Sequence, residues 1–160
     1  MKVRLLGLAV VLVALAVIVN ALAISSASVT NGVTVSVVAT NAALLAFDTT
    51  GVGNDPDLAV SGTTTGSMTI TIDDGIQKNS SYTFSPAFMI KNNSDDTLDI
   101  SIPPVTVNGV TMTATAVAGG DVSSFTDVPA GKTVFVSLTL GADGSATTPT
   151  GFNLVVNATR

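Results

Sequence analysis

Residues 129–140 read Pro-Ala-Gly-Lys-Thr-Val-Phe-Val-Ser-Leu-Thr-Leu. From Thr133 onward, Val134, Val136, Leu138 and Leu140 alternate with Thr133, Phe135, Ser137 and Thr139. A period of two sends the aliphatic set to one face and the mostly hydroxylated set to the other, which is the pattern of a half-buried β-strand. Pro129-Ala130-Gly131-Lys132 supplies a turn that leads straight into it.

The same period recurs on both sides of this strand. Val33, Val35 and Val37 alternate with Thr34 and Ser36; Met68, Ile70 and Ile72 with Thr69 and Thr71; Leu98, Ile100 and Ile102 with Asp99 and Ser101. Met112, Ala114 and Ala116 alternate with Thr111, Thr113 and Thr115, and Phe152, Leu154 and Val156 end the series. Phe84, Phe88 and Ile90 share a face of a run whose Pro86 predicts an edge strand or a bulge. Asn31-Gly32, Asp74-Gly75, Asn108-Gly109, Gly119-Gly120 and Asp143-Gly144 are turn signals between the runs, and Asn92 to Asp96 reads as a polar loop. Asn41 to Phe47 fits either a short helix or a buried strand. About eight strands separated by turns predict an all-β fold, a two-sheet antiparallel sandwich of jelly-roll or immunoglobulin-like type, over residues 33–160.

Ahead of that domain the chain changes character. Lys2 and Arg4 precede an uncharged apolar run from Leu5 to Val19, and Ala21-Leu22-Ala23 has the small-x-small form of a signal-peptidase site. Residues 1–23 therefore read as a signal peptide cut before Ile24, against the alternative of an N-terminal membrane anchor. Either reading puts the remainder outside the cytoplasm, secreted or at the cell surface, with no membrane contact after cleavage. Residues 24–32 form an uncharged N-terminal arm.

Composition removes whole classes of chemistry. The 160 residues include no His, Cys, Trp or Glu. That excludes disulfides, thiolate nucleophiles, His/Cys zinc sites and Ser-His-Asp catalysis. Six basic and eleven acidic residues give a net charge of −5, and cleavage after Ala23 leaves −7, which argues against nucleic acid as a partner. Asp48-Thr49-Thr50-Gly51 is similar to the Asp-Thr-Gly of aspartic proteases, with an extra Thr, but occurs once where that chemistry needs two. The expectation is that the chain is not an enzyme and has no cofactor.

Other side chains have candidate roles. Asp48, Asn54, Asp55 and Asp57 fall in one Gly-containing loop and supply oxygen ligands of the kind calcium takes, though Asp and Asn also make turns without metal. Asp95, Asp96 and Asp99 form a second acidic group. Lys78, Lys91 and Lys132 are the lysines available for an isopeptide crosslink, with solvated surface lysine as the plainer reading. Asn79-Ser80-Ser81, Asn92-Asn93-Ser94 and Asn157-Ala158-Thr159 are N-glycosylation sequons, and Asn79 and Asn92 look like loop positions.

Three stretches together resemble a known group: the signal peptide; Val33 to Phe47, with its strand followed by Ala-Ala-Leu-Leu-Ala-Phe; and Asp74 to Phe88 (DGIQKNSSYTFSPAF) running into Met89-Ile-Lys-Asn-Asn-Ser94. The group is the camelysin/TasA-like family of secreted fibre proteins, particularly its archaeal branch of bundling pili and threads. The resemblance covers most of Val33 to Ile102 and fades beyond. It implies a jelly-roll-like sandwich that polymerises head to tail by donor-strand complementation, as in a pilus or biofilm matrix fibre. Lateral bundling is a further implication. Some camelysins are called metalloproteases, an activity that does not carry over to a chain without His or Glu. The arm Ile24 to Thr30 is uncharged with extended-chain character, and Ile24, Ala27 and Val29, not strictly alternating, are the candidate anchors of a donor strand, against the alternative that the arm pairs within its own subunit or is a disordered tail. The alternative function is a monomeric cell-surface or S-layer-associated binding module.

Overall fold

The computed structural model describes residues 33–39, 43–49, 58–64, 67–72, 76–147, 149 and 151–160. Ten strands and no helix occur among them. One sheet holds β1 (Val33–Ala39), β3 (Leu58–Thr64), β4 (Ser67–Ile72), β6 (Asp99–Ser101) and β10 (Phe152–Thr159) in the order β3-β4-β1-β10-β6. The other holds β2 (Leu45–Asp48), β5 (Ser81–Asn92), β7 (Val105–Val107), β8 (Val110–Val117) and β9 (Thr133–Ala142) in the order β2-β5-β9-β8-β7. The sheets approach along both sides, β2 lying beside β3 and β4, and β7 beside β10.

Alternation explains why these strands pack as they do. Val134, Val136, Leu138 and Leu140 of β9 are fully buried and meet Val35, Val37, Ile70 and Leu154 of the opposite sheet in one apolar core. Each such side chain contributes about 1.5–3 kcal/mol on leaving water. β9 lies between β5 and β8, with Phe84 opposite Leu138 and Met112 opposite Leu140. Phe47 and Phe88 meet edge to face, ring centres 6.1 Å apart.

The structure departs from expectation in several places. The sandwich is not wholly antiparallel: β1 and β10 run parallel, Val35 opposite Phe152 and Ala39 opposite Val156. A parallel pair cannot be joined by a hairpin, and the first and last strands of a domain need no direct connection. Leu45 to Asp48 settles the ambiguous segment as strand, with a turn at Ala43-Leu44. β3 and β7 were not among the expected strands. Pro86 fits both parts of the expectation: β5 shifts register against β9 between Phe84 and Phe88, and β2 pairs with β5 only from Met89 to Asn92, so β2 does not cover it. The carbonyl of Phe84 at this shift accepts the buried hydroxyl of Ser137 at 3.1 Å, so the bulge leaves no orphan acceptor there.

The segment after β8 crosses from one sheet to the other. Val122 bridges to Val134 of β9, while Val128 exchanges backbone bonds with Leu98 at 2.8 and 2.9 Å and Ile100 donates to Phe125 O at 2.7 Å. This connection covers the outer edge of β6 and closes that side of the sandwich.

Candidate functional site

Strand addition requires a sheet edge with unpaired main chain, and preferably a gap in the core beneath it. β8 has both among the described residues. It pairs with β9 from Val110 to Val117, but β7 covers its other edge only from Val110 to Met112. Pro103-Pro104 holds β7 to three residues, because proline offers no N–H to a ladder. The burial of β8 changes at the same point. Val110 and Met112 are fully buried, whereas Ala114 and Ala116, the next inward positions, pack against the core yet are only half-buried. Small, half-buried inward side chains and an edge from Thr113 to Val117 that no described strand pairs make this the open notch of the sandwich. β5 has a comparable flank, since β2 pairs with it only from Met89 to Asn92.

The surface beside this notch is uncharged and hydroxylated. On the outer face of the sheet Thr113 stands opposite Thr139, which stands opposite Thr83. Thr83 and Thr139 share a hydroxyl bond at 3.0 Å, and Thr106 and Thr111 another at 2.8 Å. Phe135 lies on this face beneath Gly119 and Gly120; a Cβ on Gly119 would stand 2.8 Å from the ring, so only glycine lets the chain pass there.

The expected site residues are distributed as follows. Ile24, Ala27 and Val29, like Asn54, Asp55 and Asp57, lie outside the described residues. Asp48 is exposed at the end of β2, where its Oδ1 accepts the Thr49 N–H at 2.6 Å. Asp95, Asp96 and Asp99 do not come together: Asp96 is 3.0 Å from Arg160 Nε, and Asp99 Oδ1 accepts the Asp127 N–H at 2.8 Å. No cluster of three acidic side chains able to hold a metal occurs among the described residues. Lys78, Lys91 and Lys132 are exposed, Lys132 lying 3.6 Å from Asp121.

The three sequons differ sharply. Asn79 sits exposed in a turn with φ 55°, its side chain next to Gly144. Asn157 is half-buried on β10, opposite Ser101. Asn92 corrects the loop reading: it is the last residue of β5 and fully buried. Its Nδ2 donates to Asp96 O at 2.7 Å and Val128 O at 2.9 Å, and its Oδ1 accepts the N–H and hydroxyl of Ser94 at 2.9 and 2.7 Å. Both amide hydrogens are spent inside the protein, so Asn92 is a structural residue and offers no accessible nitrogen to a glycan.

Two carboxylates brace the turns around the sheet. Asp121 accepts the N–H and hydroxyl of Thr133 at 2.9 and 3.0 Å, and these bonds, helped by Lys132, hold its pKa below the usual carboxylate value. Asp143 accepts the hydroxyl and N–H of Ser145 at 2.7 and 2.8 Å, which lowers its pKa likewise.

Compared with protein-family models, curated proteins and solved structures, the chain finds no match.

Proposed function

We propose that this protein is the subunit of an extracellular filament, a sandwich of jelly-roll or immunoglobulin kind completed by the N-terminal arm of its neighbour. The observation that carries the proposal is the notch beside β8, where β7 stops while β8 continues and two inward alanines stay half-buried. A strand laid along Thr113–Val117 would form main-chain bonds with β8 and place alternate side chains over Ala114 and Ala116. The arm Ile24 to Thr30 is the donor in this reading, with Ile24, Ala27 and Val29 as its anchors; Ala27 and Val29 share a face by alternation, and Ile24 needs a break in it to join them. An arm passed from each copy to the next is a head-to-tail contact that does not close, and it propagates as a fibre. Signal-peptide cleavage would free the arm, which makes assembly follow export.

Electron microscopy of the chain beginning at Ile24 tests this. Fibres are expected from that protein, and monodisperse monomers from one beginning at Asn31. An Ala116→Lys substitution, with circular dichroism confirming the fold, should fill the notch and block fibre growth in the same way. Equal polymerisation by the shortened chain overturns the donor-strand assignment.

A further inference from the structure

β5 begins at Ser81, two residues after Asn79, and ends at Asn92, so two of the three sequons stand at opposite ends of one strand. Around Asn79 three turns are tied together. The Asn79 N–H donates to Asp143 O at 3.4 Å, the Ala142 N–H to Ser80 O at 2.8 Å, the Asp143 N–H to Gly109 O at 3.1 Å and the Thr147 N–H to Asn108 O at 3.0 Å. The Ser80 hydroxyl donates to Gln77 O. These bonds hold the Asn79 main chain in the left-handed region, φ 55°, a conformation that asparagine takes more readily than most residues. The side chain is left exposed, and unlike that of Asn92 it makes no hydrogen bond among the described residues. Its neighbour is Gly144, where a Cβ would stand 3.2 Å from Asn79 Oδ1 and 3.7 Å from Nδ2; glycine keeps the amide uncrowded. Asn157 is placed otherwise. Asn157, Ala158 and Thr159 all lie in the ladder with β6, opposite Ser101, Ile100 and Asp99, and Arg160 beyond them is paired with Asp96.

We infer that Asn79 is the sequon asparagine that accepts an N-linked glycan, and that Asn92 and Asn157 stay bare. A transferase grips the asparagine and the hydroxyl two positions later together, so the sequon must come away from the fold as a unit. For Asn79 that asks little. Asn79 and Ser80 are turn residues, and Ser81 is exposed in the first ladder pair of β5, opposite Gly141, where strand ends fray. For Asn157 three consecutive ladder pairs must open. For Asn92 the sequon is part of the core, and a sugar on its nitrogen would displace the bonds to Asp96 O and Val128 O. The transfer joins Asn79 Nδ2 to the anomeric carbon of an oligosaccharide carried on a polyprenyl diphosphate. The bond from that carbon to the phosphate oxygen breaks, the lipid diphosphate leaves with the electron pair, and the amide gives up one proton. With 11% charged residues the chain has little ionic hydration of its own, and a glycan at this cluster of turns supplies some. The inference rests on export from the cytoplasm and not on polymerisation.

Secretion of the chain beginning at Ile24 from a eukaryotic cell, behind that cell's own signal, gives the test. The secreted protein is treated with peptide N-glycosidase in heavy-oxygen water, which turns each glycan-bearing asparagine into a labelled aspartate, and its peptides are read by mass spectrometry. Label is expected at Asn79 and at neither Asn92 nor Asn157. Asn79→Gln and Ser81→Ala, with circular dichroism confirming the fold of each, should both remove the glycan mass from the intact protein. An unlabelled Asn79, label at Asn92 or Asn157, or a glycan retained by the Ser81→Ala protein overturns the inference. A secreted protein with a bare Asn79 that still forms fibres would remove this inference and leave the filament proposal standing.

Discussion

Asn92 shows how much one buried amide can organise. It joins the end of β5 to the loop that follows and to Val128, which in turn is bonded to Leu98. Asn92→Ala would remove one of the two bonds to each of Asp96 O and Val128 O, which keep the Ser94 hydroxyl and the Leu98 N–H, and would free the Ser94 N–H, at a cost of about 1–3 kcal/mol measured by urea denaturation. Asn92→Asp should be no better, because a carboxylate would face two carbonyl oxygens. Nothing in the sequence marks this residue as buried. The run Asn92 to Asp96 is uniformly polar, and only the pairing of Lys91 with Thr133 and of Leu45 with Asn92 reveals that its first member still belongs to the strand. Asp121 and Asp143 give a prediction of opposite kind. Their lowered pKa values mean that they stabilise the fold at pH values above the ordinary carboxylate pKa of about 4, and that this help disappears as pH falls through the lowered values. Urea midpoints should stay level from neutral pH to about 5 and then fall. The Asp121→Asn, Asp143→Asn double variant should show a shallower fall. Both groups are exposed, so the effect is small.

At the scale of the element, the Asn108-Gly109 hairpin is the connection that sequence chemistry describes most completely. Both residues have positive φ, 52° and 75°, as a tight hairpin turn requires. A Cβ on Gly109 would stand 2.7 Å from Asp143 Oδ1 and 3.0 Å from Ala146 Cα. Gly109→Val should therefore lower stability by about 2–3 kcal/mol in the same urea assay, through backbone strain and collision together. The strands with four or more alternating positions, such as β4, β8 and β9, could be read directly from the chain. β3 and β7 could not. β7 offers only Val105-Thr106-Val107 after two prolines, and β3 loses its alternation at Ser61-Gly62. Both are edge strands, held by their neighbours more than by their own pattern. The notch beside β8 was invisible for a related reason. Ala114 and Ala116 continue the inward alternation of Met112, and only the early end of β7 shows that no described strand covers them.

For the whole molecule, the Thr- and Val-rich composition pointed to a β-protein, and the number of alternating runs to two sheets. What alternation cannot encode is which strands become neighbours. Period and turn type are local properties, whereas the joining of β1 to β10 is decided by how the complete core closes. The charges follow the same global logic. Among the described residues they sit in turns, in β6 or near strand ends, leaving the β3-β4-β1-β10 face neutral.

The parallel pairing of β1 with β10 also orders events in time. Val35 must wait for Phe152, some 117 positions later, before its sheet can be finished. β10 leaves the ribosome long after β1, so the centre of this sheet stays unmade until β10 has emerged. Closure of this sheet is thus deferred to a late segment of the chain, and so distant a contact forms slowly.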